Sequence, residues 1–382
     1  MAKLTSKVAP NTEVNVSQKV RLAAVQAAPV FLDRVGTVAK ACALIREAGA
    51  NGAKVIGFPE GYIPAHPLWY HFHAATSKHA RQLSKRLFEN SVMIPGPDTD
   101  ELCKAAAEAR VFAVVGMCER ESHRMGTMYN TLLFIDDNGR IAGRHRKLMP
   151  TGGERMVHAA GDSLGLRAYE TPVGWVGGLM CGENSNALAV FALDALGVNI
   201  HVAAWPSHFS LGTNMQDIIL MSTRSVAYQM KAFIINAVGE VSEEMRKELP
   251  ASDEDRAFLS AQGGGACIIG PQGKVLAGPM KPGEGILYAD VSVDNVISGK
   301  LTQDYAGHYN RFDIFDVRLR SGAYNNLRQV SGEIEGQAQS LGAKRAEGAP
   351  SLMDLAGHPA AVPRQAPVFD AGFAPGKLPL ER

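Results

Sequence analysis

The segment VGWVGGLMCGENSNALAVFALDALGVNIHVAAW, residues 173–205, holds an apolar run, a short break, a helical stretch and a second apolar run. Residues 173–180 carry no charge, as expected of a strand covered on both faces. The spacing predicts a helix near 186–196 and another strand over 199–204. Strand, helix, strand in that order is the repeating unit of α/β proteins. At the joint between strand and helix stands one thiol, Cys181, followed by Gly182, Glu183 and Asn184. A free cysteine is most often a small core hydrophobe. At the end of a buried strand, where α/β sheets gather their ligands, it is also placed to be a nucleophile.

The same pattern extends in both directions. Residues 20–26 read as a first buried strand, 37–48 as a helix and 54–58 as a second strand. Helices are expected over 77–89, 98–109 and 214–231, and strands over 111–118 and 232–238. Two hairpins interrupt the alternation. TLLFIDDNGRIAGRHRK places Asn138-Gly139 between two strand-like runs, and ACIIGPQGKVLAG repeats the logic at 270–273. Strands alternating with helices and broken by hairpins predict an α/β layer protein with a mixed sheet.

Composition narrows the function classes. The chain has 382 residues, 46% hydrophobic and 20% charged, enough for a large core. That length suits two domains or one long α/β domain. A formal net charge of +1 argues against a nucleic-acid partner. The five cysteines are odd in number, scattered and without a CxxC, which argues against a disulfide framework or a zinc site. They fit a reducing, cytoplasmic setting. Residues 1–18 are polar and lack the apolar stretch of a signal peptide. No run is long enough to span a membrane. From about 319 the chain turns rich in Gly, Ala and Pro. The expected organisation is a flexible segment at 1–18, a catalytic domain at 19–318 and an extended tail at 319–382.

Three further side chains suggest chemistry. Glu60 stands just past the end of the strand at 54–58, in GFPEGY. Lys147 ends the basic run GRHRK and is followed by Leu-Met-Pro; turned inward, it needs an anionic partner, and Glu154 stands seven residues on. A lysine and a helix N-terminus beside Cys181 would lower its pKa, and Glu60 could take its proton. The backbone N–H groups of the turn suit a developing anion. His145, His201 and His308 are possible bases, but no local pattern ties them to Cys181. His66, His71, His73 and His79 cluster without a metal-ligand pattern. No G-x-G-x-x-G follows the first strand, and no metal or cofactor is expected.

Taken together, FPEGYIPAHPLWY, HRKLMPTGGER and CGENSNALAVFALDALGVNIHVAAWP resemble the nitrilase branch of the carbon–nitrogen hydrolase superfamily. GHYNRFDIF at 307–315 is similar to that family's late motif, and the resemblance covers roughly 18 to 318. It implies a four-layer α-β-β-α sandwich. It implies Cys181 as nucleophile, Glu60 as general base, Lys147 as the stabiliser of the tetrahedral intermediate and Glu154 as the acid that holds the lysine. It implies hydrolysis of an organic nitrile to the carboxylic acid and ammonia, through a thioimidate and a thioester, with an amide as possible by-product. It also implies self-association into dimers and larger spirals. Gly182 departs from the branch's commonest residue, tryptophan, and should leave room beside the nucleophile. Tyr62, Trp69, Tyr129 and Trp205 are candidate walls for a substrate, and packing explains each equally well. An amidase or carbamoylase using the same residues is the alternative. A catalytically idle assembly scaffold is the alternative of another class.

Overall fold

The computed structural model describes residues 19–207 and 214–320. The first half holds β1 (Lys19–Ala27), α1 (Arg34–Ala50), β2 (Ala53–Gly57), α2 (Lys78–Asn90), α3 (Pro97–Ala109), β3 (Phe112–Arg120), β4 (Met128–Ile135) and β5 (Ile141–Arg146). The second holds β6 (Tyr169–Thr171), β7 (Gly174–Met180), α4 (Ala187–Ala195), β8 (Ile200–Trp205), α5 (Met215–Met230), β9 (Phe233–Gly239), α6 (Glu243–Glu248) and α7 (Asp253–Ser260). It closes with β10 (Cys267–Ile269), β11 (Val275–Ala277), β12 (Gly285–Ser292) and α8 (Asp294–Thr302). Side-chain caps set several helix starts: Asp33 accepts from Gly36 N, Ser77 from Ala80 N and Asn186 from Leu188 N.

The strands join in the order β5-β4-β3-β2-β1-β9-β8-β7-β6, with β10 on β9, β11 on β10 and β12 on β1. Parallel pairs run from β3 through β2, β1, β9 and β8 to β7, and both hairpins, β4–β5 and β10–β11, are antiparallel. The sheet is therefore mixed, as the alternation and the two hairpins predict.

The two halves of this path pack face to face. One apolar cluster joins Leu22, Val55, Val114 and Leu132 of the first half to Val176, Val202 and Phe233 of the second. Gly178 permits the close approach, because a Cβ there would stand 3.1 Å from Leu132 Cδ1 and 3.0 Å from Val202 O. A second cluster packs α1 and α3 on the outer face of the first half. A third packs α4 and α5 on the outer face of the second. Helix, sheet, sheet, helix is the expected four-layer α-β-β-α sandwich.

The sequence reading missed β12, which pairs antiparallel with β1 from Lys19↔Ser292 to Gln26↔Gly285. Most of its residues are only half-buried, so no continuous apolar run marks it. The boundary expected at 18 falls one residue before β1. Residues 1–18 and nearly all of the expected tail, from 321 on, lie outside the described residues.

Candidate active site

Strand ends bring the candidate residues together. Glu60 lies three residues past β2, and its backbone N–H donates to Trp205 O at the end of β8. Gly116 on β3 makes room for this loop, since a Cβ there would strike Pro59 O. Lys147 follows β5, and its N–H donates to Asn130 O on β4 at 2.8 Å. Glu154 sits in a short 3-10 turn, Gly152–Met156. Cys181 follows β7 directly. Glu60, Lys147, Glu154 and Cys181 all line one cavity of about 440 Å³.

The Lys147 ammonium lies 2.7 Å from Glu60 Oε1 and 2.7 Å from Glu154 Oε2, and all three side chains are buried. The Asn130 amide donates to Glu60 Oε1 and to Glu154 Oε1, each at 2.7 Å. Glu154 also accepts from Thr151 N at 2.9 Å and from His158 Nδ1 at 3.1 Å. Every oxygen of Glu154 is thus doubly satisfied. Glu60 receives both of its donors on Oε1, and its buried Oε2 has no partner among the described residues.

That difference separates the two acids. Burial raises Glu60, the nearby Glu154 charge adds to it, and Lys147 and Asn130 only partly offset them, leaving its pKa at about 7. Burial would raise Glu154 as well, but the His158 hydrogen bond and the neighbouring His66 and Lys147 hold it well below the carboxylate range. Burial acts against the charge on Lys147, yet Glu60, Cys181 and Glu154 keep it firmly protonated. Glu60, His66 and Glu154 offer ligand atoms within 4.8 Å of one another. The Lys147 ammonium already bridges both carboxylates there, so a second cation would meet its charge.

Two sequence expectations about Cys181 need correction. The helix expected near 186–196 is α4, but its N-terminus lies six residues past Cys181 and not beside it. Cys181 opens a single 3-10 turn, Cys181–Ser185, and α4 starts only at Ala187 with Asn186 as its cap. The thiol is also not acidic at rest. Burial pushes it well above its ordinary value, Glu60 and Glu154 add to this, and Lys147 and the Gly182 N–H do not compensate. One ammonium shared between two carboxylates has little field left for a buried sulfur. The elbow itself is real. Cys181 has φ 48°, a left-handed conformation that costs about 1–3 kcal/mol for a residue with a Cβ. His145 and His201, weighed as bases for Cys181, brace its turn instead: His145 Nε2 binds Glu183 at 3.1 Å and His201 Nε2 binds Asn184 Oδ1 at 2.8 Å.

Of the expected substrate walls, Gly182 and Trp205 line the cavity, and Tyr62 and Tyr129 do not. Tyr62 packs on Phe58, ring centroids 5.6 Å apart, in the cluster beneath α1. Tyr129 sits under the Arg146 guanidinium, 3.7 Å from it. Neighbouring strand residues face opposite sides, so Tyr129 points away where Asn130 points in. Trp69 likewise belongs to the cluster around α2, while the adjacent Tyr70 lines the cavity. The sequence reading missed Asn130, Tyr70 and His158. A polar residue in phase with Leu132 and Phe134 on an apolar strand is the signal that could have found Asn130.

Comparison with known proteins agrees with this architecture. Residues 21–300 match the carbon–nitrogen hydrolase family. The chain is 40% identical over 299 residues to "Nitrilase 2" of an unknown prokaryotic organism, covering 78% of this chain and 91% of that protein. It is 32% identical over 356 residues to an aliphatic nitrilase of Rhodococcus rhodochrous, covering 85% and 95%. Among solved structures, the C. elegans NitFhit protein superposes with a TM-score of 0.61 at 16% identity, covering 81% of this chain and 69% of that one, and shares the fold. With the family match running from β1 into α8 over this sandwich, the chain belongs to the carbon–nitrogen hydrolase family.

Proposed function

We propose that the protein is a nitrilase in which Cys181 attacks a nitrile carbon, with Glu60, Lys147 and Glu154 as its partners. One observation carries this: a buried thiol and a carboxyl titrating near neutrality, with one oxygen unpaired, line the same cavity as a lysine locked between two acids. Several relatives at 31–40% identity are named nitrilases, which supports the nitrile as substrate class.

The chemistry runs in two halves. Glu60, as carboxylate, takes the Cys181 proton as sulfur attacks the nitrile carbon, and returns it to nitrogen to give a thioimidate. Thiol ionisation is thereby coupled to attack, as a buried thiol held neutral at rest requires. Glu60 then activates water, which adds to the thioimidate, and ammonia leaves a thioester. A second water releases the carboxylic acid and restores the thiol. Lys147 and the Gly182 N–H stabilise the charge that builds on nitrogen and oxygen. Glu154 stays ionised throughout and holds the ammonium in place.

The decisive measurement is product analysis on paired nitriles and amides. Acid and ammonia from nitriles, lost in Cys181→Ala, is the expected result. Turnover of amides alone would move the protein to the amidase side of its family. No turnover of either, with Cys181 inert to thiol reagents, would favour the scaffold.

We also propose self-association through the outer face of the second helix layer. Leu188 and Met221 are each 67% exposed on α4 and α5, and Leu301 is 76% exposed on α8, which Lys300 ties to Asp194 of α4. Exposed apolar side chains on three adjoining helices fit a partner copy. Met221→Glu should reduce particle size in light scattering, and an unchanged size would reject this face. The five free cysteines fit a cytoplasmic location.

A further inference from the structure

Lys147 and Cys181 come from distant parts of the sheet. β5 begins the strand order and β7 stands last but one, and no backbone ladder joins them among the described residues. What joins them at the site is Glu183. Its Oε1 accepts from Leu148 N at 2.7 Å, and its Oε2 accepts from Met180 N at 2.9 Å. His145 Nε2 stands 3.1 Å from both oxygens. Leu148 follows Lys147, His145 precedes it by two residues, and Met180 precedes Cys181. One buried carboxylate is therefore bonded next to each reactive residue, across the seam between the two sheets. Asn184 differs: its Oδ1 accepts from His201 on β8, the strand beside β7, so it braces the elbow within one sheet.

We infer that Glu183 is a positioning residue that sets the separation of the Cys181 sulfur and the Lys147 ammonium by clamping the two sheets at the site. The inference rests on the roles proposed above for Cys181 and Lys147. Glu183 does not line the cavity, so it acts through those two residues and not on substrate. Its length matters as much as its charge. Aspartate is one methylene shorter and cannot span from Met180 N to Leu148 N without drawing the segments together. Glutamine keeps the length but turns an NH2 group toward a backbone donor, which breaks one side of the clamp.

The test uses the full chain and two readouts. The first is kcat and KM on a nitrile that the wild type hydrolyses. The second is the pH profile of Cys181 alkylation by iodoacetamide, read at that residue by mass spectrometry. For Glu183→Asp and Glu183→Gln, kcat should fall about 10²-fold with KM little changed, the order of loss expected for about 1 Å of misplacement. The alkylation midpoint should shift from its wild-type position, because the charges of Lys147, Glu60 and Glu154 no longer stand where they did around the sulfur. A role in stability alone would lower Tm and leave that midpoint in place. If the Glu183 variants fail to fold, the His145 end serves. His145→Leu should move the midpoint the same way, and His145→Gln, which keeps an Nε2 donor, should restore most of the difference. Wild-type kcat and alkylation profile in Glu183→Asp, or identical profiles in both His145 variants, would overturn the clamp. Alkylation needs no turnover, so a protein that hydrolyses no nitrile would sink the nitrilase reading and still decide this one.

Discussion

Glu60 and Glu154 take the same two donors, the Lys147 ammonium and the Asn130 amide, yet only Glu60 keeps a buried oxygen without a partner. Glu154 fills both oxygens and stays ionised. Glu60 is left between charged and neutral at neutral pH. Two carboxylates 94 residues apart in the chain thus differ in ionisation: burial raises both, and Glu154 alone has His158 and His66 beside it as well as Lys147 to offset that.

The acid limb of kcat/KM should therefore report Glu60. Its pKa is raised to about 7, so the neutral form dominates below that pH and the base is lost. Activity should fall as pH drops through about 7, and Glu60→Gln should be inactive at every pH. A limb near the ordinary glutamate range would reject Glu60 as the titrating base.

Glu154→Gln should slow turnover and also move that limb. The Glu154 charge raises Glu60, so removing it should shift the limb to lower pH. Cys181 should still be alkylated. If the limb holds its place while turnover falls, Glu154 acts without touching Glu60.

Asn130→Ala removes the amide that both acids share and leaves buried oxygens short of a donor. A stability loss of about 1–3 kcal/mol is expected from denaturant unfolding, together with reduced kcat. Unchanged stability would mean that water replaces the amide at no cost.

Cys181→Ala and Cys181→Ser should fold like the wild type and lose turnover. Both keep a Cβ at φ 48°, so neither changes the strain of the turn. His145 and His201 are held by Glu183 and Asn184, so neither is available as the base that a serine would need. Wild-type-like hydrolysis by either variant would end the assignment.

Gly182 does not need glycine for its backbone. Its φ lies outside the left-handed region, and a Cβ there would meet only Thr151 Oγ1, at an ordinary 3.5 Å. Gly182→Ala should be well tolerated. Gly182→Trp should fill the cavity and penalise bulky nitriles over small ones by roughly ten- to hundredfold. Equal loss on every substrate in Gly182→Ala would return the glycine to a backbone role.

Periodicity alone placed β1 to β3, the two hairpins and β7 to β9 within a residue or two, because buried strands and amphipathic helices carry their burial pattern locally. The resemblance in three motifs named Glu60, Lys147, Glu154 and Cys181 as a set. Tertiary structure alone decided the rest. Which of Tyr129 and Asn130 reaches the two acids depends on the phase of β4 against the opposing sheet. The ionisation of Glu60 and Cys181 depends on burial and on partners tens of residues away. The contacts of Glu183 exist only because a continuous sheet doubles over to bring the end of β5 beside the turn that follows β7. Local spacing encodes which residues are apolar and where the chain turns; electrostatics and register are set by distances between segments, and these come into being only when the core closes.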